Sequence, residues 1–247
     1  MTPMRRVSRD ELPLSGGGKH RNDHTISLAG TETAADPTGV LYWPSERMLI
    51  VADLHFEKGS AFAKRGVLLP PYDTATTLVR LAALLSRYAP RLVVALGDSF
   101  HDDDGFRRML AADRAALRAL QNGREWIWIA GNHDADLPRD VGGDFASFLA
   151  VGPLTFRHVP AAGAADGEVA GHLHPVARVA QRGRSVSRRC FTSNGRRLVL
   201  PAFGAFAGGL NIRDDAFFGL FGALTYTALM IGAQRLYALS AARCLPD

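Results

Sequence analysis

Cysteine is scarce in this 247-residue sequence, and its scarcity excludes two kinds of small fold. Cys190 and Cys244 are the only two cysteines, and no CxxC pair is present. We therefore expect neither a disulfide framework nor a cysteine-ligated zinc module. A composition of this kind is typical of a reducing compartment, and we expect the protein to be cytoplasmic.

Long uninterrupted apolar runs are also missing. The first 18 residues contain basic side chains but lack the apolar stretch that a cleaved secretion signal needs. Residues 216–234 carry no charge, but three glycines interrupt them, and a membrane-spanning helix needs about 20 predominantly apolar residues. We expect no membrane association. The pattern instead predicts a turn or short helix, then a buried strand at 225–231 and a closing strand at 235–240.

What the sequence does contain is enough apolar material for one sizeable core. Hydrophobic residues make up 47% of the chain, with 13 phenylalanines, and a chain of this length favours a single compact domain. Residues 1–22 show no periodicity and include three consecutive glycines, so we expect a flexible segment there. The single domain is predicted to span residues 23–247.

Hydrophobic periodicity divides this domain into two halves. The first half alternates strands with helices, whereas strands and turns dominate after about residue 150, which indicates an α/β fold. Asp73 or Thr74 is predicted to cap a long helix that ends at Pro90. The other predicted elements are strands at 25–28, 39–43, 47–51, 91–96 and 125–130, and helices at 60–65 and 105–120.

Five short runs of histidine, aspartate and asparagine each follow, or end, an apolar run that reads as a strand. A set of imidazoles, carboxylates and one carboxamide at a common sheet edge is what a pair of divalent transition metals requires. Residues two apart in an extended segment point to one side, so one run can supply two ligands. The runs are Asp53-Leu54-His55, Gly97-Asp98, Gly131-Asn132-His133-Asp134, His158, and Gly171-His172-Leu173-His174.

Any one of these runs also has an ordinary structural explanation. A histidine in a strand is more often a hydrogen-bonded core or surface residue than a ligand, and only the ordered series favours a metal site. His101 is ambiguous: it either faces the substrate or is an N-terminal residue of the following helix, and we favour the helix. Phe203 and Phe206 either stack bases or pack in the core, and we favour the core.

Positive charge is concentrated in the second half of the chain. The net charge is +5, and no acidic residue occurs between Glu168 and Asp214. Arginine can hold phosphate oxygens in a bidentate manner, so this stretch is a candidate for nucleic-acid binding. The alternative is a solvated arginine-rich hairpin without a ligand. The candidate contacts are Arg178, Arg182, Arg184, Arg188 and Arg189, followed by Arg196, Arg197 and Arg213.

The ordered series of motifs resembles the calcineurin-like metallophosphoesterase superfamily. Residues 52–59, 69–74, 97–102 and 200–206 further resemble a bacterial branch that is associated with DNA ligase and an Lhr-type helicase in DNA repair operons. The resemblance covers about residues 25–240. One departure is Val159, because that branch tends to have an acidic residue after the lone histidine.

This resemblance implies a fold and a set of ligands. The fold would be a four-layer αββα sandwich, with two mixed β-sheets flanked by helices and the site at the strand ends. Two divalent ions are expected, with manganese favoured and iron, zinc or another divalent ion as alternatives. Asp98 would bridge the ions. Asp53, His55 and His174 would hold the first ion, and Asn132, His158 and His172 the second.

The resemblance also implies a reaction. A hydroxide between the two ions would attack phosphorus in line with the leaving oxygen. Asn132 would help to stabilise the developing charge, while His133, oriented by Asp134, would protonate or polarise the leaving oxygen. We expect a phosphodiesterase, an endonuclease acting on DNA in repair, with a ligase or helicase as partner. The alternatives are a phosphomonoesterase or nucleotide pyrophosphohydrolase, and a non-catalytic interaction module of the same fold.

Overall fold

The structure is a computed structural model that describes residues 23–70, 72–133, 138–163 and 165–247. The predicted flexible segment at residues 1–22 lies outside the described residues. Two β-sheets form the centre of the described part. The first sheet consists of β1 (His24–Leu28), β2 (Thr31–Ala35), β3 (Leu41–Trp43), β4 (Met48–Ala52), β5 (Leu92–Leu96), β6 (Glu125–Ile129) and β7 (Asp144–Ala146), in that spatial order.

Strand direction changes within the first sheet. Strands β1 to β4 pair antiparallel, whereas β4, β5, β6 and β7 run parallel to one another. Every residue of β4 and β5 is buried, as expected for parallel strands that are covered on both faces. Helices α1 (Lys58–Ala63) and α2 (Asp73–Tyr88) connect β4 to β5, and α3 (Gly105–Arg108) and α4 (Ala111–Gln121) connect β5 to β6.

The second sheet is built from the C-terminal half of the chain. Its spatial order is β14-β11-β12-β13-β10-β9-β8, with β15 beside β12 and β16 beside β15. The short strand β10 runs parallel to both of its neighbours, and helix α5 (Asp215–Phe221) precedes β15. The strands are β8 (Phe148–Val151), β9 (Leu154–Arg157), β10 (Glu168–Ala170), β11 (Pro175–Gln181), β12 (Arg184–Ser193), β13 (Arg197–Val199), β14 (Leu210–Asn211), β15 (Thr227–Ile231) and β16 (Leu236–Ser240).

The two sheets pack face to face through one apolar layer. Ile50 and Val94 of the first sheet share a buried cluster with Phe156, Val169 and Leu198 of the second. Since consecutive strand residues point to opposite faces, the neighbouring positions of each strand face outwards. The inter-sheet layer therefore fixes how the two sheets are placed relative to each other.

Helices cover both outer faces. On the first sheet, Val51 and Val93 pack with Leu81 of α2 in a second buried cluster. On the second sheet, Met230 of β15 packs with Phe217 of α5 in a third cluster. The layers therefore run helix, sheet, sheet, helix, which confirms the predicted αββα sandwich.

One predicted helix is wrong. Residues 105–120 form two helices, α3 and α4, because the backbone is extended at Met109 and Leu110. Neither residue is a helix breaker by type. The side chain of Met109 is almost completely buried and packs in the same cluster as Phe106, so tertiary packing outweighs the local helical preference here.

The uncharged segment at 216–234 behaves as predicted. It contributes most of α5 and then β15, and β16 closes the edge of the sheet. Within the part of the chain that the structure describes, no helix is both long and apolar enough to cross a membrane.

The predicted cap of α2 is also wrong, and the difference affects the chain around the first motif. The N-cap is Tyr72, and no side chain caps the helix. Asp73 instead accepts a hydrogen bond from the amide of Gly59 (3.0 Å), and the Thr74 hydroxyl donates to the buried carboxylate of Glu57 (2.9 Å). These polar side chains therefore tie the start of α2 to the start of α1.

The other end of α2 is anchored by a buried phenol. The Tyr88 hydroxyl donates a 2.6 Å hydrogen bond to Asp36, a fully buried carboxylate at the end of β2. Arg87 also pairs with Asp36 at 2.8 Å. Burial and the hydrogen bond to Asp36 both raise the pKa of Tyr88, so the phenol stays protonated and remains a donor.

We expect Tyr88→Phe to lower the free energy of unfolding by about 1–2 kcal/mol, because a buried carboxylate loses one of its donors. Denaturant unfolding at neutral pH measures this loss. Tyr237→Phe is the matched control, since Tyr237 is 47% exposed. A loss for Tyr88→Phe no larger than that of the control would contradict the anchoring role.

Candidate metal centre

The parallel strands deliver the sequence motifs to one edge of the sandwich. Asp53 and His55 follow β4, and Asp98 follows β5, so these three residues leave the first sheet at the same edge. In the second sheet, His158 follows β9 and His172 follows its parallel neighbour β10. Carboxyl ends of parallel strands meet at one edge of a sheet, and here two such edges face each other.

The first candidate metal group combines residues from both sheets. Potential ligand atoms of Asp53, His55 and His174 all lie within 4.8 Å of one another. A carboxylate oxygen of Asp53 is 3.3 Å from Nε2 of His174, and Nε2 of His55 is 3.2 Å from the same nitrogen. Asp53 and His55 are buried, so their ligand atoms face a confined space.

The second group has the same composition and adjoins the first. It consists of Asp98, His158 and His172, again with ligand atoms within 4.8 Å. Nε2 of His158 lies 3.4 Å from Asp98 and 3.2 Å from Nδ1 of His172. Nδ1 of His158 is also 3.7 Å from Asp53. The two groups are therefore neighbours within one site.

Burial and neighbouring charges set the protonation of these groups. Burial, reinforced by His174, lowers the pKa of His55 to about 3, so this imidazole is neutral at pH 7. Burial and the proximity of His158 likewise lower the pKa of His172. For Asp98, burial favours the neutral acid, but the interaction with His158 and the amide of His133 holds its pKa below the usual range. Neutral imidazoles and an ionised carboxylate are the forms that bind divalent cations. His158 differs from the other two imidazoles, because its burial, which lowers the pKa, is outweighed by Asp98 and Asp53, which raise it.

The backbone at these residues is strained. Asp53, His55, Asp98, His172 and His174 all have positive φ, between 44° and 71°. A non-glycine residue in this region costs of order 1–3 kcal/mol, and such strain persists only where the surroundings impose it. Five of the predicted ligands adopt this conformation together. This indicates that the surrounding structure shapes the backbone of the site for metal ligation.

Backbone hydrogen bonds hold the strained loops in place. The amide of His55 donates to the carbonyl of Asp98 at 2.9 Å, which joins the loops after β4 and β5. On the other side, the amide of Phe203 donates to Ala52 at 2.9 Å and that of Gly204 to Asp53 at 3.1 Å. In the sequence, only the family resemblance pointed to residues 200–206. The structure shows that they support the Asp53 loop through these backbone hydrogen bonds.

Close approach at the centre requires glycine at two further positions. A Cβ atom on Gly97 would lie 2.4 Å from the ring of His158, and one on Gly171 would lie 2.8 Å from the carboxylate of Asp53. The glycines that precede Asp98 and His172 therefore make room for ligands of the other sheet. From the sequence alone, these two glycines indicated only where strands end, and not this close approach.

The Gly131-Asn132-His133 run lies beside the two groups. The amide of His133 donates to Asp98 at 3.0 Å, but its ring is half exposed, with Nε2 3.9 Å from Asp98. Among the described residues, neither metal group includes His133. Asn132 is exposed and lines a cleft together with His158. Asp134, which was predicted to orient His133, lies outside the described residues.

The family model described as calcineurin-like phosphoesterase matches residues 46–190 of this sequence. The chain belongs to the calcineurin-like phosphoesterase family. The crystal structure of nuclease MPE from Pseudomonas putida is similar to it, with a TM-score of 0.69 and 27% identity. That match covers 88% of this chain and 100% of the nuclease chain. No curated protein matches the sequence.

The donor set of this phosphoesterase fits the two divalent metal ions that the family uses. Each group offers one carboxylate and two imidazoles, which are common ligands of divalent transition metals. Two nitrogen–nitrogen distances of 3.2 Å, one in each group, bring imidazoles close enough to share a cation. The chain is thus a metal-dependent phosphoester hydrolase with two candidate metal sites.

His101 of the phosphoesterase lies at the mouth of the site and not in a helix. Helix α3 begins only at Gly105, so our interpretation of His101 as a helical residue is wrong. Its ring stacks on His133 with centroids 5.6 Å apart and lies 5.7 Å from the ring of His55. The loop after Asp98 carries it there, because the amide of His101 bonds to the carbonyl of Phe56 at 3.0 Å.

The arginine-rich stretch forms the β11–β12 hairpin. The pairing register of its two strands places the candidate contacts on different faces. Arg178 pairs with Ser187, whereas Arg184 and Arg188 pair with Gln181 and Ala177. Because neighbouring positions on a strand face opposite ways, Arg178 lies on one face of the hairpin and Arg184 and Arg188 lie on the other. Arg182 is in the turn. These arginines therefore do not form a single surface.

Other arginines of this stretch make internal contacts. The guanidinium of Arg189 donates to the carbonyl of Ala202 at 2.5 Å, and burial lowers its pKa. Arg197 is almost fully buried and pairs with Glu168 at 2.5 Å. Arg213 donates to the carbonyl of Cys244 at 2.8 Å, and Arg196 pairs with Asp166 on the surface.

The two phenylalanines of residues 200–206 also lie in different environments, one buried and one exposed. Phe203 is completely buried beneath the guanidinium of Arg80, 4.3 Å from the ring centroid, which confirms its predicted core role. Phe206 is 43% exposed, so the core role predicted for it is wrong.

We expect Gly204→Ala to weaken metal binding about tenfold or more, the range seen when residues that support ligands are changed. A Cβ at this position would lie 2.1 Å from the carbonyl oxygen of Leu54, so the Asp53 loop must move. Titration of the metal-free protein with manganese, followed calorimetrically, measures the effect. Gly208→Ala is the control, because a Cβ there meets nothing within 4 Å. Equal affinities for the two variants would contradict the bracing role.

Proposed function

We propose that this phosphoesterase hydrolyses phosphodiester bonds in nucleic acid, as an endonuclease acting on DNA. The observation that carries the proposal is the pair of adjoining Asp-His-His groups at one edge of the sandwich. Two metals about 3.5–4 Å apart are typical of enzymes that stabilise both the attacking and the leaving oxygen of a phosphate. The similarity to a nuclease over 88% of the chain supports the substrate class.

The two adjoining groups of potential ligands support the following ligand assignment. Asp53, His55 and His174 hold one ion, while His158 and His172 hold the other together with Asn132. We propose that Asp98 bridges the two ions, because it is 3.4 Å from His158 and its charge also acts on His55. We propose manganese as the native metal, since the mixed carboxylate and imidazole donors suit it and affinity order alone does not select the ion.

The bound cations would neutralise charge on the phosphate and lower the pKa of an attacking water. The protein supplies the remaining functions. We propose that His133, whose half-exposed ring lies beside Asp98, donates a proton to the leaving oxygen. Its amide also fixes the orientation of Asp98. We propose Asp134, its sequence neighbour, as the group that orients the imidazole.

Charge distribution supports an anionic polymer as substrate. The net charge is +5, and Arg182, Arg184 and Arg188 of the β11–β12 hairpin are exposed. Since these arginines do not share one surface with Arg178, their expected role is long-range attraction of a nucleic-acid strand. A role in DNA repair in the cytoplasm, alongside a ligase or helicase, is the cellular context that we propose.

A comparison of two substrates tests the proposed function. We expect manganese-dependent hydrolysis of bis(p-nitrophenyl) phosphate, a diester, with kcat/KM at least about tenfold above that for p-nitrophenyl phosphate, a monoester. Nicking of circular DNA under the same conditions tests endonuclease action. Preference for the monoester would favour a phosphomonoesterase, and a lack of any metal-dependent hydrolysis would favour a non-catalytic binding module.

We expect His133→Ala to retain its metal content and to lower kcat on DNA about 100-fold, the order of magnitude of general acid catalysis. The loss on bis(p-nitrophenyl) phosphate should be smaller, because p-nitrophenolate leaves without protonation. Metal analysis and steady-state kinetics measure both quantities. Asp98→Ala serves as the contrast and should lose metal together with activity. Equal losses of kcat on the two substrates would argue against proton donation by His133.

A further inference from the structure

A cleft opens directly beside the second metal group. Its volume is about 250 Å³, and its lining includes His158 of that group and the neighbouring Asn132. Phe148, Arg157 and Val159 also line it. This is slightly below the roughly 300 Å³ at which pockets for small ligands begin. The cleft therefore suits one unit of a larger substrate and not a complete cofactor.

Arg157 gives this cleft a positive charge that its described neighbours do not cancel. Among the residues that the structure describes, the carboxylate within 4 Å of its guanidinium is Glu168, whose oxygen lies 3.5 Å from Nε of Arg157. Glu168 already pairs with the buried Arg197 at 2.5 Å and accepts the amide of Ala161 at 2.8 Å. One carboxylate thus serves two guanidinium groups, and the side chain of Arg157 remains 34% exposed.

The remaining lining is also compatible with an anion. The described residues around the cleft include no carboxylate. Nε of Arg157 is buried without a hydrogen-bond partner, so its contact with Glu168 is electrostatic only. Val159, which is 45% exposed, and Phe148 provide an apolar wall against which a sugar can pack. A guanidinium beside an apolar wall matches one nucleotide unit, with its phosphate on the arginine.

We propose that this cleft binds the phosphate of the nucleotide next to the scissile bond, with Arg157 as the contact that favours a polynucleotide over a small diester. The proposal rests on the proposed nuclease function and adds a specificity-determining residue to it. Adjacent phosphates in a strand are covalently linked, so a site that holds one of them also aligns the next at the metal centre.

The test compares single-stranded oligothymidylate with bis(p-nitrophenyl) phosphate, which has no flanking phosphate. For Arg157→Gln, we expect the ratio of kcat/KM for the oligonucleotide to that for the small diester to fall about tenfold or more. Arg157→Lys should restore part of the ratio because it keeps the charge. The slope of log(kcat/KM) against log salt for the oligonucleotide should shrink by about 0.7, as expected for one lost phosphate contact on a single strand.

Arg118→Gln is the matched control, since it removes the same charge at a distant place. Arg118 is exposed in the last turn of α4, which leads into the amino end of β6 and so lies at the opposite edge of the sheet. This variant should keep the wild-type ratio and the wild-type salt slope.

A second pair of variants does not disturb the contact with Glu168. Val159→Glu introduces a negative charge into the cleft, whereas Val159→Gln introduces a side chain of the same size without charge. We expect the ratio to fall at least about fivefold further with glutamate than with glutamine, because like charges repel across a confined space. Thermal unfolding of each variant shows whether the fold is intact.

Two outcomes would overturn the proposal while the nuclease function stands. Both require that the wild-type protein cleaves the oligonucleotide and the small diester. One outcome is that Arg157→Gln leaves the ratio of their kcat/KM values unchanged. The other is that Val159→Glu and Val159→Gln have equal ratios. If the wild-type protein, loaded with manganese, hydrolyses neither diester, the proposed function itself fails. The two failures are thus distinguishable in one set of measurements.

Discussion

The apolar packing between the two sheets is the interaction on which the rest of the structure depends. Each candidate metal group is assembled across it: Asp53 and His55 from the first sheet meet His174 from the second, and Asp98 meets His158 and His172. Neither sheet contains a complete group. Since close-packed cores resist sliding, the inter-sheet layer holds the two half-sites at ligand distance.

That placement is achieved at a cost in local stability. Five of the predicted ligands have positive φ, and histidines that repel one another when charged lie within 3.2 Å. Backbone hydrogen bonds from the loop after β5 and from residues 200–206 offset part of this cost. Unfavourable backbone angles and close imidazoles of this kind are expected at a functional site, where local preferences are overridden by the surrounding structure.

Arginine takes several roles in this protein that composition does not distinguish. Arg189 and Arg197 stabilise the interior by binding carbonyl groups and Glu168, while Arg184 and Arg188 stay in solvent on the hairpin. Arg157 precedes the charged stretch in sequence, yet it lines a cleft together with the candidate ligand His158, which the arginines of the hairpin do not. Distance from the site in space, not density along the chain, decides which arginine is relevant to a substrate.

The sequence by itself determined the chemistry and the class of fold. Motifs such as Asp53-Leu54-His55 and Gly171-His172-Leu173-His174 are local, so side-chain type and strand periodicity identify candidate ligands and an α/β fold class before any contact is known. The αββα arrangement was implied by the resemblance of these motifs to a known superfamily. Only the tertiary structure decided that the ligands grouped by this resemblance come into contact, where the helix after Asp98 breaks, that residues 200–206 brace the site, and which arginines face inwards. Those outcomes depend on contacts between residues about a hundred positions apart along the chain, such as His55 with His174, and local propensity carries no information about them.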